Sequence, residues 1–560
     1  MAALPSELGK VNPAEAWAAY RPGTDAPWDR KWASHLYRRA AFGATPEEVE
    51  KALADGFEKT LAHLMTGSPD AAEKLELLTE TGQYYTDPHP LRVWWLYAML
   101  ESGHPLREKL TLFWHNHFAT SYTKVRSTKL MFQQNLTLRR HALGKFRPFL
   151  LDMSKDTAML VWLDSNRNVK GAANENYARE VMELFSLGVG NYTEKDVQEA
   201  ARAFTGWHHD AEVTTFENVP ALHDDGEKTV LGQSGRFTGT DIVKVCCDQK
   251  ACAKFLVGKL YAFLVSETPP PKGLLAPLED RFRGSDYDIA DLVKTMLGSR
   301  LFFSEHSYRK RVKWPVEYAL GLVRSVVPGR IPLADVIDPL AKMGQVLFAP
   351  PNVKGWRTGT DWLNSATLLA RNNFAESVAV GNWARVSARA PTAGQFAATT
   401  KAAVPDAPQP LVEYPIQGAA AVAGVPAAYV GIATAEGLGV GPGGNESKLF
   451  IVDMPPEGGT PPGGAQPPGV IGNATNAAPP PPDSKLDVTT TVMATKPATP
   501  AAVAARIGEL LYGQELPPAA RKKIEAFLTV EKKDAGDAAF RAKLREAVHA
   551  LMCLPEYQLG

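Results

Sequence analysis

Between Asp164 and Gly188 the chain carries an unusual density of side chains that could do chemistry, DSNRNVKGAANENYAREVMELFSLG. Asp164, Asn166, Asn168 and Glu175 stand at positions 1, 3, 5 and 12 of a twelve-residue loop with helical patterns on both sides. Oxygen ligands at that spacing are what an EF-hand loop offers Ca²⁺. Such a loop needs glycine at its sixth position for the sharp turn, and Val169 stands there, with Gly171 two residues later. The competing reading is an Asn-rich turn whose side chains cap the helix that follows. Just beyond, Glu180 and Glu183 lie one turn apart with Arg179 beside them and Asn176 on the same polar side. Two carboxylates shielded from water raise each other's pKa and can serve as general acid and base. An i,i+4 ion pair from Arg179 to Glu183 is the structural alternative.

Three other places offer reactive groups. His115 and His117 in FWHNHF are contiguous within a helical pattern, unlike the scattered letters of an HNH nuclease. Two positions apart on a helix is about 200°, so the imidazoles point opposite ways. His117 shares the apolar stripe of Leu106, Leu110, Phe113 and Trp114, which makes it either a catalytic imidazole tuned by burial or a hydrogen-bonded core residue. His208-His209-Asp210 and His223-Asp224-Asp225, with Lys228 behind, flank an irregular segment where histidine beside carboxylate suits acid–base or metal work; a solvated polar loop explains them equally. Asn352, Lys354 and Trp356 in PPNVKGW put an amide, an ammonium and an indole on a stiff backbone, suited to sugar or phosphate or to a buttress between helices. The basic run Tyr308–Lys313 reads as a solvated face. There is no G-x-S-x-G, H-E-x-x-H, P-loop or strand–G-x-G-x-x-G–helix unit.

The elements that must position these groups are mostly helices. The signature helix carries the stripe Tyr177, Val181, Leu184 and Phe185, with Gly188 as a left-handed cap. Thr45-Pro46-Glu47-Glu48 and Thr193-Glu194-Lys195-Asp196 are helix starts. Further helices are expected over a Trp-rich stretch from Leu91 to Ser102, and over 106–118, 124–141, 250–264, 286–297 (Ser285 and Asp288 capping) and 315–326, with another beginning near Asp361. Residues 211–240 lose helical period and suggest a short β-hairpin or ordered loop. From about 389 to 500 the composition falls to Ala, Pro, Gly and Thr, which reads as a linker or disordered insertion with weak strand-like pieces over 411–453. Helical pattern returns from Val503.

A chain of 560 residues can bury a substantial core. Its 61 basic and 61 acidic residues balance, so no global field favours nucleic acid or an anionic membrane. Cys246, Cys247, Cys252 and Cys553 form neither a disulfide framework nor a zinc pattern, and Cys252 falls on an apolar helix face. The N-terminus lacks a signal-peptide pattern, and no stretch approaches the roughly 20 apolar residues of a membrane helix. The default location is therefore cytoplasmic, or exported if a leader has been removed.

The segment NENYAREVMELFSLGVGNYTEKDVQEAARAFTGW resembles the signature of the bacterial domain-of-unknown-function 1800 family. WASHLYRRAAFGATPEEVEKAL, REKLTLFWHNHFATS, HDDGEKTVLG, MGQVLFAPPNVKGWRTGTDWLNSATLLARNNF and the ending LPEYQLG agree in order. The resemblance implies a helical fold and leaves activity open. It marks His223, Asp224, Gly226 and Lys228 as family-matching positions. It also implies relatives that look exported and a neighbouring sulfatase-like protein of the domain-of-unknown-function 1501 family as a partner.

The expectation is a mainly α protein: a helical main domain over 1–388, a low-complexity insertion over 389–500 and a helical segment over 501–560 that packs back. The leading function is a hydrolase or lyase acting on a polar polymer such as a polysaccharide. His117, Arg179, Glu180, Glu183, His223, Asp224 and Lys228 would act, and Asn176, Asn352, Lys354 and Trp356 would bind, all within about 10–12 Å of one pocket. Ca²⁺ at Asp164, Asn166, Asn168 and Glu175 is the cofactor expectation. The alternative is a non-catalytic scaffold or partner of the sulfatase-like neighbour.

Overall fold

Helix boundaries follow the local chemistry of the caps. Thr45 accepts from the Glu48 N–H while the Glu48 carboxylate takes the Thr45 N–H, opening Pro46–Asp55. Thr193 and Asp196 do the same for Glu194–Ala203. Lys250–Leu264 and Pro315–Val326 run over the spans their periodicity predicts. The helix expected over 124–141 is instead two, Tyr122–Val125 and Thr128–His141. Arg126 turns left-handed (φ 53°) and Ser127 caps afresh by accepting from the Leu130 N–H. The helix expected from Asp286 begins at Ile289, because Asp286 and Tyr287 both hold positive φ and Asp288 is the residue that caps. The helix expected near Asp361 begins at Ser365, after a 3-10 turn over Gly359–Trp362 and an Asn364 cap.

The computed structural model describes residues 4–209, 215–327, 333–381, 488–529 and 538–560, all of one compact unit. The 382–487 part of the low-complexity stretch, including the strand-like pieces over 411–453, lies outside the described residues, as do Asp210 and 211–214. Among the described residues the fold is mainly α. Its only sheets are two antiparallel two-stranded ribbons, Trp207–His209 with Phe216–Asn218 and Lys228–Val230 with Gln233–Gly235.

The Pro105–His117 helix sits at the centre and is buried on nearly every side, as a helix without a solvent face must be. Its charges are paired inside. Glu108 takes a bidentate pair from Arg139 at 2.6 and 2.8 Å. Lys109 bonds Glu317, which also receives both guanidinium nitrogens of Arg311 and the Trp314 N–H. The basic run expected on the surface is thus largely interior: Tyr308, Arg311 and Lys313 are buried. Their charges are met by Glu317, by carbonyls and by aromatic rings, which a reading by charge density overlooks. The tail contributes to the same interior. Ala538–Met552 packs on Ser365–Val380, and Pro500–Tyr512 on Pro315–Val326. Gln558 accepts from Arg371 at 3.0 Å, and Val312 bridges Leu559.

Candidate functional site

The polar loop after the Thr157–Trp162 helix does not gather its oxygens around one point. Asp164, left-handed at φ 57°, pairs with Lys124 at 2.8 Å. Asn166 accepts the His209 N–H at 3.0 Å. Asn168 is buried; it accepts the Asn174 N–H and donates to the Ala201 carbonyl, both at 2.9 Å. Glu175 pairs with Arg179 at 3.0 Å. The four groups turn to four different partners, and among the described residues no three His, Cys, Asp or Glu side chains cluster as metal ligands. The absence of a sixth-position glycine is the physical reason: the sharp turn falls at Gly171 (φ 83°), and the loop closes as an Asn-stapled turn. Asn174 accepts the Asn176 N–H, and Asn176 donates to the Leu163 carbonyl at 3.4 Å.

The helix that follows is α only over Asn176–Glu180, then winds as a π-helix through Val181–Ser186. The wider turn is held by Leu187 N–H on the Met182 carbonyl at 2.8 Å and by Ser186 Oγ on the Val181 carbonyl at 2.5 Å. From below, His117 Nε2 meets the Phe185 carbonyl at 3.0 Å. A carbonyl can only accept, so this nitrogen carries the proton. Nδ1 is left buried without a partner. Burial, then the nearby Lys259 ammonium, holds His117 well below the usual histidine range. Lys259 itself is pushed down to about 8 by burial and lies over the Phe255 ring. Tyr177, Val181 and Phe185 are buried as the stripe predicts; Leu184 is half-buried.

Above this turn lies a charged group. Glu180 is raised above the ordinary carboxylate range by burial first and by Glu183 second, while Arg179 and Lys354 oppose the shift. Glu183 accepts from the Tyr192 hydroxyl at 2.6 Å. The expected Arg179–Glu183 pair does not form. Arg179 pairs with Glu175 and, through two nitrogens at 2.7 and 2.8 Å, with Glu194. A fork fits a carboxylate presented end-on better than one on the next turn already holding a tyrosine. Lys354 stands on the loop after Pro350, which is pinned to the end of the central helix. Trp356 N–H donates to Asn116 Oδ1 at 2.6 Å, and a Cβ on Gly355 would lie 2.3 Å from that same atom. Asn352 accepts the Lys354 N–H at 2.9 Å, and Trp356 is buried with its ring 5.3 Å from His115. Asn352 and Trp356 therefore shape the loop from within, and Lys354 is its outward charge.

His223, Asp224 and Lys228 form a separate cluster. His223 Nδ1 donates to the Thr205 carbonyl at 2.9 Å, which leaves Nε2 as the basic nitrogen. Asp224 holds Arg202 at 2.8 and 3.2 Å, and that guanidinium pulls its carboxyl down to about 2. Lys228 donates to the carbonyls of Asp224 and Gly226 and is buried. His223 borders an open cleft that also takes in Lys155, Trp207, Phe216 and Asp225. Lys155 lies over both aromatic rings, 5.7 Å from Trp207 and 5.5 Å from Phe216.

Glu180 and Glu183 thus share the helix whose Phe185 carbonyl meets His117, Lys354 opposes the Glu180 shift from its own loop, and the histidine–aspartate block joins a different hollow. Tyr192, Arg202, Asn116 and Lys259 were not legible as members of these clusters. Of these, Asn116 lies in the polar His-Asn-His run that the sequence already singles out. A family model described as protein of unknown function (DUF1800) matches residues 35–559. No curated protein and no solved structure matches the chain.

Proposed function

Since the chain belongs to the DUF1800 family of proteins of unknown function, we propose from its geometry that it cleaves a polar polymer such as a polysaccharide by acid–base chemistry at Glu180 and Glu183. The single observation that carries this reading is the unequal setting of the two carboxylates. Burial and its neighbour raise the Glu180 pKa, the direction a general acid needs, whereas Glu183 accepts a tyrosine hydroxyl. Lys354 would meet negative charge on the polymer or on the departing oxygen. Arg179, fixed between Glu175 and Glu194, is a positioning residue. Cleavage follows as hydrolysis if Glu183 draws a proton from water, or as elimination if it draws one from substrate carbon.

The test is release of new reducing or unsaturated ends from a panel of neutral and acidic polysaccharides. Glu180→Gln and Glu183→Gln should each lose about 10²-fold or more of the wild-type rate. Variants that cleave at wild-type rates, or a folded wild type that cleaves nothing on the panel, sink the reading. A second reading, a non-catalytic scaffold for a sulfatase-like partner, is favoured by the internal pairing of Arg179, Asp224 and Lys228. Pull-down of a sulfatase-like protein by Glu180→Gln as efficiently as by wild type would support it.

A further inference from the structure

Lys313, the last residue of the basic run at 308–313, lines a cavity that nothing above uses. It lies between the helices Arg30–Ala40, Pro315–Val326 and Pro500–Tyr512, and Arg30, Arg38, Lys313 and Arg506 contribute its cationic wall. The carboxylates that line it are Glu317 and Glu509. Glu317 is already occupied by Lys109 and Arg311, and Glu509 by Arg506 at 3.2 Å. Arg30 is engaged outward with Glu50. Arg38 and Lys313 have no carboxylate partner among the described residues.

Arg38 Nε and Nη2 are buried without an acceptor. Tyr308 lies close enough to favour the charged guanidinium, but its hydroxyl is also without a partner, so no full hydrogen bond joins them. Lys313 spends one of its three donors on the Tyr557 carbonyl at 2.6 Å, with the ring 3.6 Å beneath it. Arg309, outside the lining, lies over Tyr308 and Tyr512 and donates to the Tyr512 carbonyl at 3.3 Å. Burial, then repulsion from Arg38, Arg309 and Arg371, pushes Lys313 well down against only Glu317, and an anion bound beside it favours the ammonium form. Gly43, Gly321 and Gly513 also line the space, and Gly43 comes so close to Gly321 that a Cβ would stand 2.9 Å from its Cα. That wall is backbone, and the hollow has room for a few waters or one tetrahedral group.

We propose that this cavity binds an oxyanion, a phosphate or sulfate group, either as the free ion or as the end of a small ester. A tetrahedral anion accepts from several converging donors at once, and guanidinium with ammonium is the pairing that selects it. A carboxylate or guanidinium ligand is disfavoured, the one by having too few acceptors for this donor set and the other by charge. The site shares no residue with the Glu180–Glu183 group, so its fate is independent of the reading above.

Titration of the full chain with inorganic phosphate, inorganic sulfate and phenyl phosphate, at ionic strength held constant with chloride, tests this by melting temperature and by equilibrium dialysis. A saturable rise with near one equivalent bound is expected. Arg38→Gln and Lys313→Met should weaken binding by about tenfold or more, and Lys310→Gln, on the exposed side of the run, should not. Tighter binding of the ester identifies an ester group as the natural ligand, and equal binding the free ion. If the buried variants fail to fold, Arg506→Gln at the rim carries the same expectation in a weaker degree. No saturable binding to wild type, or affinity unchanged in every folded cavity variant, overturns the proposal.

Discussion

Glu180 gives the sharpest residue-level expectation because its shift has a sign. Folding raises its pKa, so its contribution to stability is full below the ordinary carboxyl value of about 4.3 and is lost as pH rises through the raised value. Glutamine does not ionise and escapes that loss. Glu180→Gln should therefore melt above wild type near pH 7, with the difference closing toward about pH 4 in a series of thermal scans. Asn116 tests the loop that carries Lys354. Asn116→Ala leaves the buried Trp356 N–H without an acceptor and should cost about 1–3 kcal/mol in denaturant unfolding, with faster proteolysis between Pro350 and Trp356. The sequence exposed which residues were polar and out of place, but not whom they face. Arg179 has Glu175 and Glu183 at equal helical spacing, and Glu194, whose place depends on the next turn of chain, takes its fork. Tyr192 is hidden in the same way, since a tyrosine in a short loop announces no partner.

The π-helical turn at Val181–Ser186 is the element that sets Glu183 against Glu180. Single π-turns are uncommon and recur at functional sites because they re-aim side chains and free carbonyls. Here the Phe185 carbonyl is taken by His117 from a helix 68 residues earlier. His117→Phe removes that donor and should cost about 1–3 kcal/mol, with His117→Gln losing less because it can still donate. Chemical denaturation of the two variants side by side measures the difference. No sequence period encodes such a turn: the apolar stripe from Tyr177 to Phe185 fits an α-helix, and the extra residue is accommodated by local bonds from Ser186 and Leu187 together with the long-range contact from His117. Capped elements were legible where the cap is local, as at Thr45 and Thr193, and misjudged where a left-handed residue intervenes, as at Arg126 and Asp286.

Across the whole molecule, stability hangs on charges placed where apolar packing would be expected. Glu317 is held down to about 2: burial works against that, and Arg311 and Lys109 more than offset it. Lys109 is nevertheless lowered, to about 8, because burial, with Arg311 and Arg39 nearby, outweighs its one carboxylate partner. The carboxylate, with two cations and a backbone N–H, is the better gauge of the network. Its depressed pKa gives stability that is present above the ordinary carboxyl value of about 4.3 and is lost as pH falls toward 2. Glu317→Gln should cost about 3–5 kcal/mol at neutral pH, since it strands two buried cations, and should flatten the acid limb of the stability–pH curve. The same interior is finished by Tyr557, Gln558 and Leu559, which meet Lys313, Arg371 and Val312 from the far end of the chain. A ribosome emitting this polypeptide has therefore released more than five hundred residues before the inner cations near position 313 gain their last acceptors. Until then the nascent body carries an open seam, so its survival during synthesis depends on how long that seam waits, which places a demand on chaperones that a domain closed by neighbours in sequence would not make.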